Sequence, residues 1–521
     1  MLFNSFEFLF LFLPISLMVF FLIGRVCRNT NLSILWLVFV SLFFYGWWDP
    51  KYLSLILISI CVNYNIAGFL QRSLSSTSAK KLVLYLGVLF NLSSIAYFKY
   101  ANFVVFEINR ISSLEVHLDN IVLPLAISFF TFQQIAYLVD SYRGEISEQN
   151  FLLYILFVTF FPQLIAGPIV HHREMLPQFR NINVYKFNEK FIVLGISLFT
   201  IGLFKKLIVA DSMAMFATPI FQLANNFGEL SILDAWKGAL AYTFQLYFDF
   251  SGYSDMAIGL ALLIGIRLPL NFNSPYKATS IVDFWRRWHI TLSRFLRDYL
   301  YISLGGNRVG LFRRHSNLLL TMLIGGLWHG AGWTFIIWGG LHGFYLIVNH
   351  FFNHVTSSIL KIELDGIVYG FLCWVLTFIS VVVAWVFFRA ESFSAALHLT
   401  KAMVDISSFP SLVDIQYFFG DLKGWALSIL QLINGKESEY EQGIFLFIVV
   451  STIFCKFSPN STEIVNKIYD VCINKSLDLI KTEVSSLSFS RKYISPMLLG
   501  CVFSWCILNL NKVSEFLYFQ F

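Results

Sequence analysis

The feature that most constrains this chain is a series of apolar runs that recur along nearly all of its 521 residues. A helix needs about 20 mostly apolar residues to cross the hydrocarbon core of a bilayer. Only 13% of the residues are charged, against about 25% in a soluble domain, so the apolar excess must face lipid. The runs lie at residues 8–23, 33–48, 52–70, 82–98, 121–139, 191–210, 234–264, 317–338, 339–354, 367–388, 443–455 and 496–510.

These runs predict an all-α fold, a polytopic membrane helical bundle with about 11–12 spans. A further apolar run, residues 151–170, contains Pro162, Gly167 and Pro168 and is expected to form a re-entrant hairpin instead of a full span. Irregular backbone survives at membrane depth only where protein or a water cavity satisfies its polar groups. The short run 339–354 is a second candidate for a re-entrant segment.

Basic residues between the runs predict the orientation. Arg25 with Arg28, the loop 71–81, and the stretch 266–316, which holds nine Lys or Arg and two Asp, fall on one side if the N-terminus starts outside. The positive-inside rule makes that side the cytoplasm. Both the N-terminus and the tail after residue 510 are therefore expected on the extracytoplasmic side.

The clearest polar group at membrane depth is His329, in the sequence GGLWHGAGW at residues 325–333. Its position about midway along an apolar run favours a functional role, since ionisable residues are costly there. Burial disfavours the imidazolium form, which leaves a neutral ring that can act as a general base. Trp328 is a candidate lining residue beside it. The alternative is a core histidine hydrogen-bonded to a neighbouring helix.

The segment 283–294, DFWRRWHITLSR, lies in the most basic of the predicted cytoplasmic stretches. It is typical of an interface helix, with aromatic rings at headgroup level and charges in water. It also fits a cytoplasmic mouth lined by Trp285, Arg286 and Arg287, whose cations would attract a phosphate-bearing acyl donor such as coenzyme A. His289 would then be a second polar group at the entrance.

A third polar group, in residues 245–255, comprises Gln245, Asp249 and Asp255 within an apolar run. Carboxylates there are costly unless they are paired or face a cavity. Interhelical hydrogen bonding is slightly favoured for both aspartates, and lining of a substrate passage by Gln245 and Asp249 stays open.

Several classes of function find no support in the chain. The seven cysteines show no metal-binding spacing, so no metal and no permanently bound cofactor is expected, and no basic soluble module suggests nucleic acid as a partner.

A secondary transporter or polymer exporter is the alternative from another class. It predicts internal repeats or paired broken helices, which are not evident.

Two of these motifs together, Trp-His-Gly at 328–330 and Arg-Arg-Trp-His at 286–289, resemble the membrane-bound O-acyltransferase family. The resemblance extends over roughly residues 1 to 510. The bacterial branch, which includes the membrane subunit of alginate O-acetylation and the D-alanyl transferase of teichoic acid, is similar at residues 42–47 (LFFYGW), 161–169 (FPQLIAGPI), 247–255 (YFDFSGYSD) and 303–307 (SLGGN).

The resemblance implies a membrane domain over residues 1–510, built around a transmembrane tunnel in the bacterial cytoplasmic (inner) membrane. It implies that His329 is the catalytic histidine and that His289 is the family's second motif position. The acyl donor would enter from the cytoplasm as acyl-CoA, acetyl-CoA first, or on an acyl carrier protein. The reaction would be O-acylation of an envelope polysaccharide; direct acylation of a lipid or protein is the alternative.

The chain ends in FLYFQF, residues 516–521, which looks like the F-x-Y-x-x-F ending of some of these bacterial systems. There the tyrosine is implicated as an acyl carrier. By the same resemblance, the extracytoplasmic tail 511–521 would thread back into the tunnel, and Tyr518 would pass the acyl group to an envelope-side esterase-like partner of the SGNH type. An aromatic anchor for the last helix is the alternative.

Overall fold

A computed structural model of the chain describes residues 1–27, 29–72, 76–112, 115–146, 149–361, 365–409, 442–469, 486–510 and 517. These residues form helices and no β-strand, which confirms the all-α fold class. The α-helices, numbered in chain order, are α1 (Leu13–Val26), α2 (Thr30–Gly46), α3 (Lys51–Gln71), α4 (Thr77–Ile95), α5 (Ala101–Ile111), α6 (Ile127–Tyr142), α7 (Phe151–Thr159), α8 (Phe161–Leu164), α9 (His172–Arg180), α10 (Glu189–Phe204), α11 (Asp211–Asn225), α12 (Ile232–Leu263), α13 (Ile281–Arg287), α14 (Ile290–Phe295), α15 (Leu311–His329), α16 (Trp333–His354), α17 (Ile367–Arg389), α18 (Phe393–Ala402), α19 (Gln442–Phe457), α20 (Ser461–Tyr469) and α21 (Ser486–Leu508).

Within those described ranges, six helices are long and apolar enough to cross a membrane, or seven if the bent pair Ile444–Phe457 and Ser461–Tyr469 is one span. The six are Phe8–Val26, Lys51–Gln71, Thr77–Ile111, Glu189–Asn225, Trp333–Ser357 and Ile367–Arg389. Their side chains face outward in part; Met18, Leu22 and Leu376, for example, are exposed. Apolar surface of this extent marks a membrane protein with several spans.

Other predicted spans correspond to helices that are shorter or more polar. Thr30–Gly46 and Pro496–Leu508 are apolar but short. Helix α12 has 32 residues, about 48 Å at 1.5 Å per residue, and carries four charged side chains. The predicted run 234–264 lies almost entirely within α12, which continues without interruption through Asp249 and Asp255.

Contacts along the chain divide it into two compact units. The first comprises Met1–Phe199 and Tyr253–Leu270, and the second comprises Thr200–Gly252 and Asn271–Phe521. Helix α12 contributes residues to both. The candidate site residues that the structure describes, from Gln245 and Asp249 to His329, fall in the second unit.

In the first unit, α6 packs against α3 and α4, and α2 packs against α1 and α7. Asn63 on α3 and Asn91 on α4 exchange amide hydrogen bonds of 3.2 and 2.6 Å. Ser59 accepts a hydrogen bond of 2.9 Å from Gln134 on α6. Polar bonds between helices hold membrane bundles together, because lipid offers polar groups no alternative partner.

The run 151–170 does not form one continuous helix. Helix α7 ends at Thr159, and the short helix α8 follows directly after Phe160. The Phe161 amide donates to the Ser41 hydroxyl at 3.1 Å, which satisfies backbone exposed by the break. The prediction that this run is not a full span agrees with the broken helix, and its re-entrance into the membrane stays a prediction.

In the second unit, α15 and α16 form a close helical hairpin that corrects the predicted boundary at residues 338–339. The helices are separated at residues 330–332, because Gly330 and Gly332 adopt extended backbone. A Cβ on Gly326 would lie 2.3 Å from the Phe335 carbonyl oxygen, so only glycine permits this approach. The run 339–354 belongs to the continuous helix α16, which meets the requirements for a span instead of forming a separate re-entrant segment.

Candidate active site

His329 is the last residue of α15, not a residue midway along a helix as the apolar pattern indicated. The pattern misled because apolar residues continue across the turn into α16. The imidazole retains 6% of its exposure and is enclosed by aromatic rings. Its ring centroid lies 4.9 Å from that of Trp328, 5.1 Å from Trp338 and 5.3 Å from Phe388.

His289 lies in the same enclosure, with its ring centroid 6.4 Å from that of His329. The expected single interface helix is broken here: α13 ends at Arg287, and α14 begins at Ile290. His289 adopts left-handed backbone, with φ 41° and ψ 54°, a conformation that costs a non-glycine residue about 1–2 kcal/mol. Trp288 and His289 are therefore buried, where an interface helix would hold them at the membrane surface.

Asn271 orients the His289 ring. The side-chain oxygen of Asn271 accepts hydrogen bonds from the Thr291 hydroxyl at 2.9 Å and the Thr291 amide at 3.4 Å, so this atom is an acceptor. His289 Nδ1, 3.0 Å from the same oxygen, must then carry a proton and donate it. The basic lone pair of the neutral ring is consequently on Nε2.

Complete burial keeps the His289 ring neutral. The residue lies between α12 and α15, outside the candidate spans, and has 0% exposure. Loss of hydration lowers its pKa from 6.5 to about 3. His289 is thus an uncharged hydrogen-bonding group at any physiological pH.

His342 and Trp338 complete the enclosure, and neither of them was predicted from the sequence as a site residue. The Trp285 indole N–H donates to His342 Nδ1 at 3.3 Å, and the His342 ring lies 4.9 Å from that of Trp338. Among the described residues, Trp338 Nε1 and His342 Nε2 have no hydrogen-bond partner. Their four-residue spacing on α16 places both on one helix face, the signal that could have identified them.

The two arginines of the proposed mouth differ in their surroundings. Arg287 Nε lies 2.9 Å from both oxygens of Asp283, and Arg287 Nη1 donates to the Asn273 carbonyl at 3.3 Å. Arg286 is exposed, and Trp285 is half-buried against Trp338. Arg286 is therefore the more accessible of these two cations for an anionic ligand.

Gln245 and Asp249 are buried on α12. Asp249 forms an ion pair of 2.6 Å with Lys206, which also pairs with Asp211 at 2.9 Å. Gln245 Oε1 has no hydrogen-bond partner within the described part of the chain. The Asp249 carboxylate thus obtains the partner that an aspartate at membrane depth requires.

A cluster in the first unit has ligand types suited to a metal. Asp140 Oδ2 lies 3.0 Å from His171 Nε2 and 3.2 Å from His172 Nδ1. The three ligand atoms lie within 4.8 Å of one another. Both imidazoles can instead donate to the one carboxylate oxygen, so hydrogen bonds alone account for the arrangement.

Tyr518 lies outside the described residues, as does the rest of the tail 511–521 except Leu517. Leu517 itself is buried.

The helical fold and the enclosed histidines identify the class of protein. It is a multi-pass α-helical membrane protein with two histidines buried among aromatic side chains. The model of the membrane-bound O-acyltransferase family matches residues 32–388, and this chain belongs to that family. The match includes both His289 and His329.

Three relatives are similar over most of the chain. A peptidoglycan O-acetyltransferase of Helicobacter pylori is 48% identical over 78% of this chain and 80% of its own length. A probable alginate O-acetylase of Pseudomonas aeruginosa is 45% identical over 78% of this chain and 76% of its own length. A probable alginate O-acetylase of Azotobacter vinelandii is 39% identical over all of both chains.

Proposed function

We propose that this protein transfers an acetyl group from cytoplasmic acetyl-CoA across the bacterial inner membrane for O-acetylation of an envelope polysaccharide. The observation that carries the proposal is the pair of buried imidazoles, His289 and His329, with ring centroids 6.4 Å apart. The relatives support the group and the acceptor class, because they are named for O-acetylation of peptidoglycan and alginate, both envelope glycans.

The first transfer uses His329 as general base. The imidazole takes the proton of an attacking hydroxyl as the new O–C bond forms at the thioester carbonyl. The C–S bond then breaks, and the proton passes from the imidazolium to the leaving thiolate, which departs as the coenzyme A thiol. General acid–base catalysis of this kind contributes about 10²–10⁴-fold to rate.

Two other groups fit roles beside this base. The Trp338 indole N–H is in ring contact with His329 and has no hydrogen-bond partner among the described residues, so it is suited to polarise the thioester carbonyl. His289, held neutral and oriented by Asn271, is a second polar group beside the base and positions the substrates around it. Exposed Arg286 and the other cations of residues 266–316 attract the phosphates of the donor on the cytoplasmic side.

Tyr518 is the proposed attacking group and acyl relay. A phenol is a stronger acid than an aliphatic alcohol, so an acetyl ester of Tyr518 would have a good leaving group and stay activated. An extracytoplasmic SGNH-type partner then takes the acetyl group on its own hydroxyl and transfers it to the polysaccharide. This sidedness places both chain termini outside the cytoplasm, in agreement with the loop charges.

Substitution of the three proposed residues tests the function. We expect His329→Ala and Tyr518→Phe to abolish O-acetylation of the envelope polysaccharide and His289→Ala to lower it about 100-fold, with unchanged protein in the membrane. The measurement is ester-linked acetate released from purified envelope glycan. His354→Ala, which alters an exposed histidine at the end of α16, is the matched control and should keep wild-type acetylation.

The alternatives give different results in the same strains. Full acetylation in Tyr518→Phe would contradict the relay and leave direct transfer to the acceptor. Acetate found on a lipid or protein instead of the glycan would contradict the polysaccharide acceptor. Unchanged acetylation in His329→Ala, together with altered solute uptake, would overturn the enzyme in favour of a transporter.

A further inference from the structure

A groove in the first unit has no part in the chemistry above. It lies between the first candidate span, Phe8–Val26, and helix α2, which pack against each other. Its volume is about 340 Å³, within the range of sites for small molecules. The residues that line it include Leu11, Phe12, Ile15, Phe39, Val40 and Phe43.

The groove is apolar along most of its length, because the polar groups at one end are satisfied by the protein itself. There the Ser16 hydroxyl donates to the Phe12 carbonyl at 2.6 Å, and the Trp36 indole N–H donates to the Ser16 carbonyl at 2.9 Å. The Phe12 and Phe43 rings stack with their centroids 6.2 Å apart and form one wall. Leu11, on the rim, is 61% exposed. Exposed apolar side chains on a membrane span face hydrocarbon, so the occupant of the groove is a hydrocarbon chain.

The other end of the groove carries a carboxylate. It is lined by Glu7, which precedes the span, and by Trp47, which follows the last residue of α2. Tryptophan is enriched at the level of the lipid headgroups. The α-amino group of Met1 is close to Glu7, but burial lowers its pKa to about 6, so it is mostly uncharged at pH 7. Glu7 therefore gives this end of the groove a negative charge.

The groove is about as long as one leaflet of the bilayer is thick. Trp36 and Trp47 are 11 residues apart on the chain, about 16 Å at 1.5 Å per residue. Half of the hydrocarbon core of a bilayer is about 15 Å. The groove thus runs from headgroup level to about the middle of the membrane, as an acyl chain does. We propose that it binds one acyl chain of a zwitterionic phospholipid whose headgroup ammonium pairs with Glu7.

The width of the groove excludes a helix as its occupant. The volume divided by this length gives a cross-section of about 21 Å², whereas a helix about 10 Å across needs about 80 Å². The groove therefore fits a single hydrocarbon chain and not a transmembrane helix of a partner protein.

The charge at Glu7 selects among phospholipids. Phosphatidylethanolamine carries an ammonium group with three N–H donors, which can pair with a carboxylate. The headgroup of phosphatidylglycerol has no cation and would place its phosphate beside Glu7, where like charges repel. An ethanolamine headgroup is therefore the one that complements this site.

A bound acyl chain would support the packing of the first unit. The Phe12 ring, which forms a wall of the groove, lies 5.4 Å between centroids from that of Phe161 at the start of α8. The lipid would thus cover the side of Phe12 that the protein leaves open. This role does not rest on acetyl transfer.

Photo-labelling of the full-length protein in vesicles of equal parts phosphatidylethanolamine and phosphatidylglycerol tests the site. A trace of either lipid carries the same diazirine acyl chain, and adducts are mapped by peptide mass spectrometry. We expect adducts within residues 11–16 and 36–47, about fivefold more with phosphatidylethanolamine, the ratio that one exposed ion pair supplies. Glu7→Gln should equalise the two yields, and Glu7→Lys should reverse their order.

Ile15→Trp fills the groove and should lower the adduct yield there at least fivefold. Met18→Trp is the matched control, because Met18 is 65% exposed on the same span and does not line the groove. Its yield should match that of wild type, and monodisperse elution in detergent should show that each variant is folded.

Two results would overturn the lipid site. Equal yields with both lipids in wild type, or an unchanged yield in Ile15→Trp, would show that only bulk lipid contacts this surface. A diazirine residue in place of Phe39 that cross-links in cell membranes to a second copy or to another protein, instead of to lipid, would assign the groove to a protein partner.

Discussion

His289 combines two unfavourable conditions at one residue, left-handed backbone and complete burial of an ionisable ring. Each costs free energy, and strain of this kind persists where the surrounding structure over-determines the conformation. The His289 ring is hydrogen-bonded to Asn271 and in contact with the Phe250 ring, and its backbone leads directly into the helix that begins at Ile290. This degree of constraint fits a group that must present one nitrogen in one direction.

The low pKa of His289 makes stability depend on pH. The folded imidazole stays neutral down to about pH 3, whereas the unfolded one, with its pKa at 6.5, binds a proton as the pH falls below that value. The unfolded state then binds more protons, so stability is complete above pH 6.5 and decreases below it, by up to about 1.4 kcal/mol per pH unit for one proton. His289→Asn, which tolerates left-handed backbone, should remove this part of the decrease.

Thermal unfolding of the detergent-purified protein between pH 8 and pH 5 measures this effect. We expect the midpoint temperature of wild type to fall more steeply than that of His289→Asn below pH 6.5. Other titrating groups are common to both proteins, so they cancel in the comparison. Parallel curves would show that His289 titrates normally in the folded state.

For single residues, the sequence identified buried polar side chains more reliably than it predicted their place in the fold. An ionisable residue is easily recognised within an apolar run, which is why His329 and Asp249 were identified. Lys206 was overlooked because it sits near the end of the predicted run 191–210, where a lysine ordinarily reaches water. Its pairing with Asp249 depends on a contact between distant segments, which no local pattern encodes.

Among the elements, the α15–α16 hairpin is the one that positions His329, the proposed general base. Close approach of the two helices at Gly326 and Gly339 sets where α15 must end, and His329 lies at that end. Small residues on facing helices permit such contact in a membrane. The turn at residues 330–332 was not predicted, because the apolar character of the sequence continues on both sides of it.

Gly339→Ala tests this packing. The new methyl group would lie 2.3 Å from the Met322 carbonyl oxygen, so the helices must separate, at a cost of about 1–3 kcal/mol. We expect a lower unfolding midpoint in detergent and reduced glycan acetylation. Gly340→Ala is the matched control on the same helix; its methyl group meets only Leu323 Cδ2, at 3.5 Å, and should leave both measurements near wild type. Equal effects of the two substitutions would show that close packing at Gly339 is not required.

For the whole molecule, composition and apolar runs were sufficient to predict an all-α membrane protein. A chain with so few charged residues cannot cover its surface with polar groups and fold as a soluble protein. The same reasoning predicted that the run 151–170 is not one full span, in agreement with the break after α7. It could not predict the division into two compact units, since α12 continues through the boundary between them. The helices alone do not indicate which side of the membrane each loop faces. The charges of the loops predict this orientation.

Orientation across the membrane is also part of the central proposal. The acetyl group is taken from acetyl-CoA on the cytoplasmic face, with His329 as base, and is held on Tyr518 of a C-terminal tail whose predicted location is extracytoplasmic. Labelled acetyl-CoA supplied to inverted membrane vesicles, without the envelope partner, measures this claim most directly when the C-terminal peptide is analysed by mass spectrometry. We expect an acetyl group on Tyr518 in wild type, and none in His329→Ala or in right-side-out vesicles. Labelling that persists in His329→Ala, or a peptide that never carries acetyl in a protein that still supports glycan acetylation, would contradict it.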